Sequence, residues 1–386
     1  MITVPLSLYI HLPWCVKKCP YCDFNSYRAG ENLPKKRYIR ALLSDLRQQS
    51  SRVDGREIQT IFLGGGTPSL FSSAEICQIL DAIKDYFSVA KNAEITMEEN
   101  PGTLEHDSPV GYLDAGITRL SIGAQSFNDD SLKSLGRIHS SKDISRAFLS
   151  AKAAGFQNIN IDLMYGLPNQ TLSTAMLDLK KTVELYPAHI SWYQLTLEPK
   201  TFFYTKPPNG LPDDEEIHNI QESGQDFLEH SGYKQYEISA YAKGKNRCQH
   251  NLNYWSFGDY IAIGAGAHGK VTIASKIYRY QKPSNPLEYM IVQETQRPEE
   301  ELKCLEKSDL IFEFMLNALR LNEGFTEELF TNRTGLSSLE LIKATAGVRS
   351  KGLIEQCDNE FWKPTALGRR FLNDLQSEFI LNDNKS

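Results

Sequence analysis

From residue 6 to about residue 200 the chain alternates short β-rich runs with amphipathic helical stretches, and no other feature limits its fold so strongly. Strands that alternate with helices pair in parallel through right-handed crossovers, which gives an α/β sheet or barrel. The runs Leu6–Leu12, Ile58–Leu63, Glu94–Glu98, Arg119–Ala124, Asn158–Leu163 and Ile190–Thr196 read as the strands. Behind Pro34, Tyr38, Ile39, Leu42, Leu43 and Leu46 recur at helical spacing, and a proline suits the first turn. Ser72-Ser73-Ala74-Glu75 fits a capping box that opens a helix toward Phe87. Further helical stretches lie around Tyr112–Leu113, Lys142–Ala154, Thr171–Tyr186 and Asp213–His230. Motifs at the C-terminal ends of the strands will then share one face.

After about residue 232 the rhythm changes. Tyr233–Tyr241 and Tyr260–Ile263 read as further strands, while GAGAHG (Gly264–Gly269) is too glycine-rich for either regular element and lacks the lysine of a phosphate loop. Pro283–Pro298 looks like a linker. Beyond it, Ser308–Leu321, Leu339–Arg349, Gly352–Gln356, Glu360–Lys363 and Thr365–Phe379 suggest helix, helix, strand, strand, helix, an order that resembles a winged helix. The expected division is residues 1–240, an extension over 241–290 and a C-terminal domain over 291–386. That tail is not strongly basic, so a lid or protein-docking role fits it better than DNA binding.

Seven cysteines are present, and three fall within eight residues as Cys15-Val-Lys-Lys-Cys19-Pro-Tyr-Cys22. An odd, uneven set is no disulfide framework. Three thiolates so close can wrap one inorganic centre. Zinc would need a fourth protein ligand, His11 being nearest, whereas a four-iron cluster held by three thiolates keeps one iron open. Cys77, Cys248, Cys304 and Cys357 are scattered and read as small core residues. Composition narrows the partners. The net charge is −6, so there is no overall basic field for nucleic acid. No apolar run approaches the roughly 20 residues a transmembrane helix needs, and the N-terminus does not read as a signal peptide, so the expected location is the cytoplasm.

The C-x3-C-x2-C spacing with an aromatic before its last cysteine resembles the signature of radical S-adenosylmethionine (SAM) proteins. Gly64-Gly65-Gly66-Thr67-Pro68, Glu98 in MEENP, Gln125 in SIGAQSF, Arg137 in LGRIH and Asp162 in IDLMYGLP are similar to that superfamily's oxygen-independent coproporphyrinogen III oxidase family. The resemblance runs from about Tyr9 to the C-terminus. It implies a partial (β/α)6 radical SAM barrel with a small, mainly helical, winged-helix-like C-terminal domain. It also implies a 4Fe-4S cluster on Cys15, Cys19 and Cys22. For SAM it implies contacts from Tyr9, Tyr21, Gly65, Gly66 and Thr67, with Glu98 toward the ribose and Gln125, Arg137 and Asp162 in the same pocket. Glycines between a strand and a helix let a ligand approach the backbone closely.

One departure separates two functions within the family. Its oxidases carry a fourth cysteine two positions after the third, where this chain has Phe24. Cys22-Asp-Phe and His250-Asn-Leu-Asn-Tyr254-Trp255 resemble instead the family's heme-chaperone branch, whose members share an HNxxYW motif. Imidazole is a good axial heme ligand and broad aromatic faces suit a porphyrin, so His250, Tyr254 and Trp255 are expected at the heme, with Lys243, Lys245 and Arg247 near its propionates. The resemblance thus implies a heme chaperone whose partners are heme and heme-requiring proteins, respiratory enzymes foremost. A homodimer, a peripheral membrane contact and the cleavage of SAM are left open. The alternative is the oxidase of porphyrin biosynthesis, acting through a 5′-deoxyadenosyl radical.

Overall fold

A computed structural model describes residues 4–53, 55–103, 107–295, 301–357 and 360–380. Six parallel strands form its centre: β1 (Leu6–Leu12), β2 (Ile58–Gly65), β3 (Val89–Glu99), β4 (Arg119–Gln125), β5 (Asn158–Tyr165) and β6 (His189–Gln194). Each expected strand is present, with ends shifted by a few residues. The longer helices between them are α1 (Lys35–Ser50), α2 (Ser73–Tyr86), α3 (Pro109–Ala115), α4 (Ser141–Ala154) and α5 (Leu172–Leu185), and α6 (Asp214–His230) follows β6. The capping box at α2 forms as expected: Glu75 N–H donates to Ser72 Oγ, and Ser72 N–H donates to Glu75 Oε2 at 2.8 Å. Leu8, Ile10, Leu42, Leu63, Ile76 and Ile83 are among the side chains of the core between strands and helices.

The six strands are part of an open sheet of twelve, as expected of a partial barrel. At one end β7 (Lys234–Glu237) pairs antiparallel with β8 (Ala240–Ala242), which in turn pairs antiparallel with β6. At the other, β9 (Asp259–Ile263) runs parallel to β1 and is followed by β10 (His268–Ile273), β11 (Lys276–Gln281) and β12 (Lys303–Cys304). Within residues 241–290, expected as an extension, β9, β10 and β11 continue the sheet beyond β1. Between β8 and β9 lies α7 (Gln249–Trp255), which carries the HNxxYW motif and packs against β1, β2 and β9.

The supposed linker is corrected. Pro286–Glu294 is a helix, α8, packed on α1; residues 296–298 lie outside the described residues. Asn285 caps it by accepting from Leu287 N–H at 2.8 Å, Pro286 occupies the first turn, and Tyr289 and Met290 are buried. Past it stand α9 (Lys307–Ala318), α10 (Glu327–Thr334) and α11 (Ser338–Ser350). Strands β13 (Phe325–Thr326), β14 (Ile354–Cys357) and β15 (Phe361–Pro364) form a separate three-stranded sheet. The expected last helix is broken at Phe371 into Ala366–Arg370 and Leu372–Ser377. This domain has its own core around Phe314, Phe330, Leu341 and Trp362, which also takes in Phe257 from the turn before β9 and Ile277 from β11.

Candidate functional site

The loop after β1 carries the three cysteines and is pinned at both ends. Trp14–Cys15 pairs with Tyr27–Arg28 in a two-residue ladder, and Trp14 is buried against Tyr38 with ring centroids 4.7 Å apart. The GGGTP turn after β2 docks onto the same loop: Gly66 N–H donates to Leu12 O at 2.9 Å and Thr67 N–H to Trp14 O at 2.7 Å. Gly65 has a φ of +104°, and a Cβ there would lie 2.2 Å from the His11 ring; at Gly66 it would lie 2.6 Å from Leu12 O. These glycines are thus required by the fit of turn to loop, besides any ligand.

Cys15, Cys19 and Cys22 are half-buried on the wall of one cavity of about 440 Å³. Burial pushes the Cys15 and Cys22 thiols up, with hydrogen bonds from Thr67 and Ser26 respectively opposing it. Arg137 reaches the loop from the opposite side, its Nη1 3.7 Å from Cys19 Sγ while its Nη2 donates to Gly123 O at 2.8 Å. Among the described residues no three of His, Cys, Asp and Glu converge as ligands of a single metal ion must. The three thiols line one cavity, a donor set that fits a four-iron cluster. His11 is no fourth ligand. Its Nε2 is 2.9 Å from Asn25 O and its Nδ1 3.0 Å from Tyr9 Oη, so both nitrogens are occupied.

The same cavity gathers Tyr21, Gly65, Gly66 and Thr67 on one side and Glu98, Gln125 and Asp162 on the other. Glu98, at the end of β3, accepts from Gly65 N–H at 3.1 Å. Burial, then the charge of Asp162, push its pKa up to about 7. Asp162 is also raised by burial, against hydrogen bonds from Asn160 at 2.8 Å and Ser121 at 3.0 Å. Gln125 ends β4 at a register shift with a φ of +69°, which turns its side chain toward Tyr193; the Tyr193 hydroxyl donates to its Oε1 at 2.8 Å. Such a bulge beside a cavity re-aims a side chain at some cost in backbone strain. A half-buried wall of carboxylates, amide and guanidinium fits a ligand bearing hydroxyls, an amine and a carboxylate, as SAM does. Sequence reasoning missed Tyr193, Ser121 and Asn160, although β-strand alternation places Ser121 and Asn160 on the same face as the residues it found.

Tyr9 lies across Gly65 and Glu98 in a second cavity of about 1000 Å³, which shares Lys18, Cys22, Asp23 and Phe24 with the first. Tyr254, Trp255 and Tyr260 line it, with Tyr254 and Tyr260 edge to face at 4.4 Å. Phe24, at the position of the missing fourth cysteine, is 57% exposed at its mouth. His250 stands behind this wall, beside Tyr254. Its side chain is 1% exposed and lines neither cavity. Its Nδ1 is 2.9 Å from Thr60 Oγ1 and its Nε2 2.9 Å from Tyr254 Oη, and burial pulls its pKa down to about 3. Lys243 lies 3.3 Å from the centroid of the Tyr186 ring, and Arg247 pairs with Glu323 at 2.6 Å; neither lines the cavity. Cys248 is core as expected, its thiol raised to about 12 by burial, whereas Cys304 is exposed and Cys77 and Cys357 are half-buried.

Comparison with known proteins agrees with this arrangement. Residues 9–185 match the model of the radical SAM superfamily and residues 305–371 that of the HemN C-terminal domain. The heme chaperone HemW of Haemophilus influenzae is 46% identical over 98% of this chain and 99% of its own. HemW of Bacillus subtilis is 32% identical over 97% and 99%. Among solved structures, the radical SAM coproporphyrinogen III oxidase HemN of Escherichia coli superposes with a TM-score of 0.79 over 98% of this chain and 90% of that one. At 24% identity, it establishes the fold. The chain therefore belongs to the HemW heme-chaperone family within the radical SAM superfamily.

Proposed function

We propose that the chain holds a 4Fe-4S cluster and SAM, takes up heme beside them, and delivers it in the cytoplasm to heme-requiring proteins, respiratory enzymes foremost. Cys15, Cys19 and Cys22 would hold the cluster, and Tyr9, Tyr21, Gly65, Gly66, Thr67, Glu98, Gln125, Arg137 and Asp162 would hold SAM. When bound, the two supply one-electron chemistry. This chain's residues orient them: Arg137 offers a positive charge beside Cys19, Glu98 offers a carboxylate, and the Tyr193–Gln125 hydrogen bond fixes the amide. The observation that supports a carrier is the second, aromatic-walled cavity, larger than the first and adjoining it. Ligand sites are about 300–1,000 Å³ and mostly apolar with a few placed polar groups.

The oxidase reading predicts catalysis where the carrier reading predicts retention and transfer. In anaerobic incubation of the reconstituted protein with coproporphyrinogen III, SAM and reductant, no steady formation of protoporphyrinogen is expected. The heme-loaded protein should pass heme to an apo heme protein. Sustained decarboxylation would overturn the carrier reading.

A further inference from the structure

Of the eight histidines, three stand at or behind the large cavity: His11, His250 and His268. The first two have both ring nitrogens engaged, His11 with Tyr9 and Asn25 and His250 with Thr60 and Tyr254. An imidazole whose nitrogens are both committed cannot coordinate iron without breaking a buried hydrogen bond, which costs about 1–3 kcal/mol. His268 differs. It opens β10 at the end of the GAGAHG turn, is exposed and lines the cavity, and its side chain makes no hydrogen bond among the described residues.

The turn that presents His268 is tightly built. Gly264 and Gly266 have φ of +101° and +78°; a Cβ would fall 2.4 Å from His11 O at the first and 2.2 Å from the Asn25 amide at the second. Asn25 in turn donates to Ala265 O and Ser284 O, both at 2.9 Å, so this turn is tied to the loop that bears the cysteines.

Resting on the heme-carrier reading, we infer that His268, rather than His250, is the axial ligand to heme iron in this cavity, with Lys18 and Lys200 taking the propionates. Both lysines line the cavity. Lys18 Nζ donates to two neutral acceptors, Phe24 O at 3.0 Å and Ser26 O at 3.1 Å, and Lys200 is exposed; neither has a carboxylate partner among the described residues. Arg279 and Lys270, the other cations of the wall, are neutralised by Glu313 and Asp259. His250 becomes a positioning residue that holds the Tyr254 hydroxyl, and so its ring, on the wall.

The test titrates wild type, His268→Ala and His250→Ala with ferric heme and, in parallel, with metal-free protoporphyrin IX, which has no iron to coordinate. In His268→Ala the absorption and electron paramagnetic signature of imidazole ligation should disappear and ferric heme affinity fall about tenfold or more, a loss of about 1.4 kcal/mol or more. Metal-free porphyrin should bind as in wild type, and added imidazole should restore the spectrum. His250→Ala should weaken both porphyrins alike and keep the wild-type signature. A wild-type signature and affinity in His268→Ala would overturn the assignment, and their loss in His250→Ala alone would return it to His250. Absence of saturable heme binding by wild type would instead overturn the carrier reading on which the assignment rests.

Discussion

Glu98 and Glu99 are consecutive on β3, face opposite sides of the strand, and carry different costs. Glu98 has the Gly65 N–H; Glu99 is 3% exposed, both of its oxygens lack a hydrogen-bond partner, and burial alone pushes its pKa up to about 8. A carboxyl raised in the folded state keeps its proton while the unfolded chain, with a pKa near 4.5, has lost it. Between those values the folded state binds more protons, so Glu99 lowers stability as pH rises, by about 1.4 kcal/mol per pH unit. Denaturant midpoints of the apoprotein from pH 5 to 8 should therefore fall more steeply for wild type than for Glu99→Gln; parallel curves would refute the buried, protonated acid. Glu98 was legible in the sequence because its motif pointed to it. Glu99 was not, since the same letters one position along give no sign of an unpartnered side chain. The hydrogen-bond partners of His250 were not legible for a related reason. Residue chemistry says that an imidazole can bind iron, and only the fold says that Thr60 and Tyr254 already occupy it.

At the scale of elements, α1, α8 and the strand β11 meet at a buried ion pair. Lys282 Nζ lies 2.6 Å from Asp45 Oδ1 with both side chains fully buried, and the Tyr289 hydroxyl donates to Asp45 Oδ2 at 2.8 Å. Removing one partner of such a pair strands the other charge in low dielectric, at a cost of about 3–5 kcal/mol. Asp45→Ala should lower unfolding stability by about that amount, and a change below about 1 kcal/mol would mean that the site rehydrates. The same junction explains why α8 was taken for a linker. Pro283, Ser284, Asn285 and Pro286 look like loop letters, yet Asn285 and Pro286 are the cap and first residue of a helix. The strands and helices of the barrel were legible because their hydrophobic periods run over whole elements. The six-residue HNxxYW motif is too short to show such a period, and its helix α7 is fixed by contacts with the next strand, β9, and with β1 and β2, which lie far away in sequence.

Across the whole molecule, two cavities share a partition made of the cysteine loop, Gly65 and Glu98. The C-terminal domain completes the outer wall of the larger one. Asn317 of α9 lines it, and the Arg320 guanidinium stacks 4.3 Å from the Trp255 ring while pairing with Glu237 at 2.9 Å. We propose that cluster and heme occupy distinct, adjoining sites, which a heme titration tests on anaerobically reconstituted wild type and on Cys15→Ala/Cys19→Ala/Cys22→Ala, with iron and sulfide assayed on each sample. The triple variant should keep its fold, lose the cluster iron and sulfide, and still bind heme saturably. Loss of heme binding together with the cluster in a folded triple variant, or a full cluster retained without the three thiols, would contradict it.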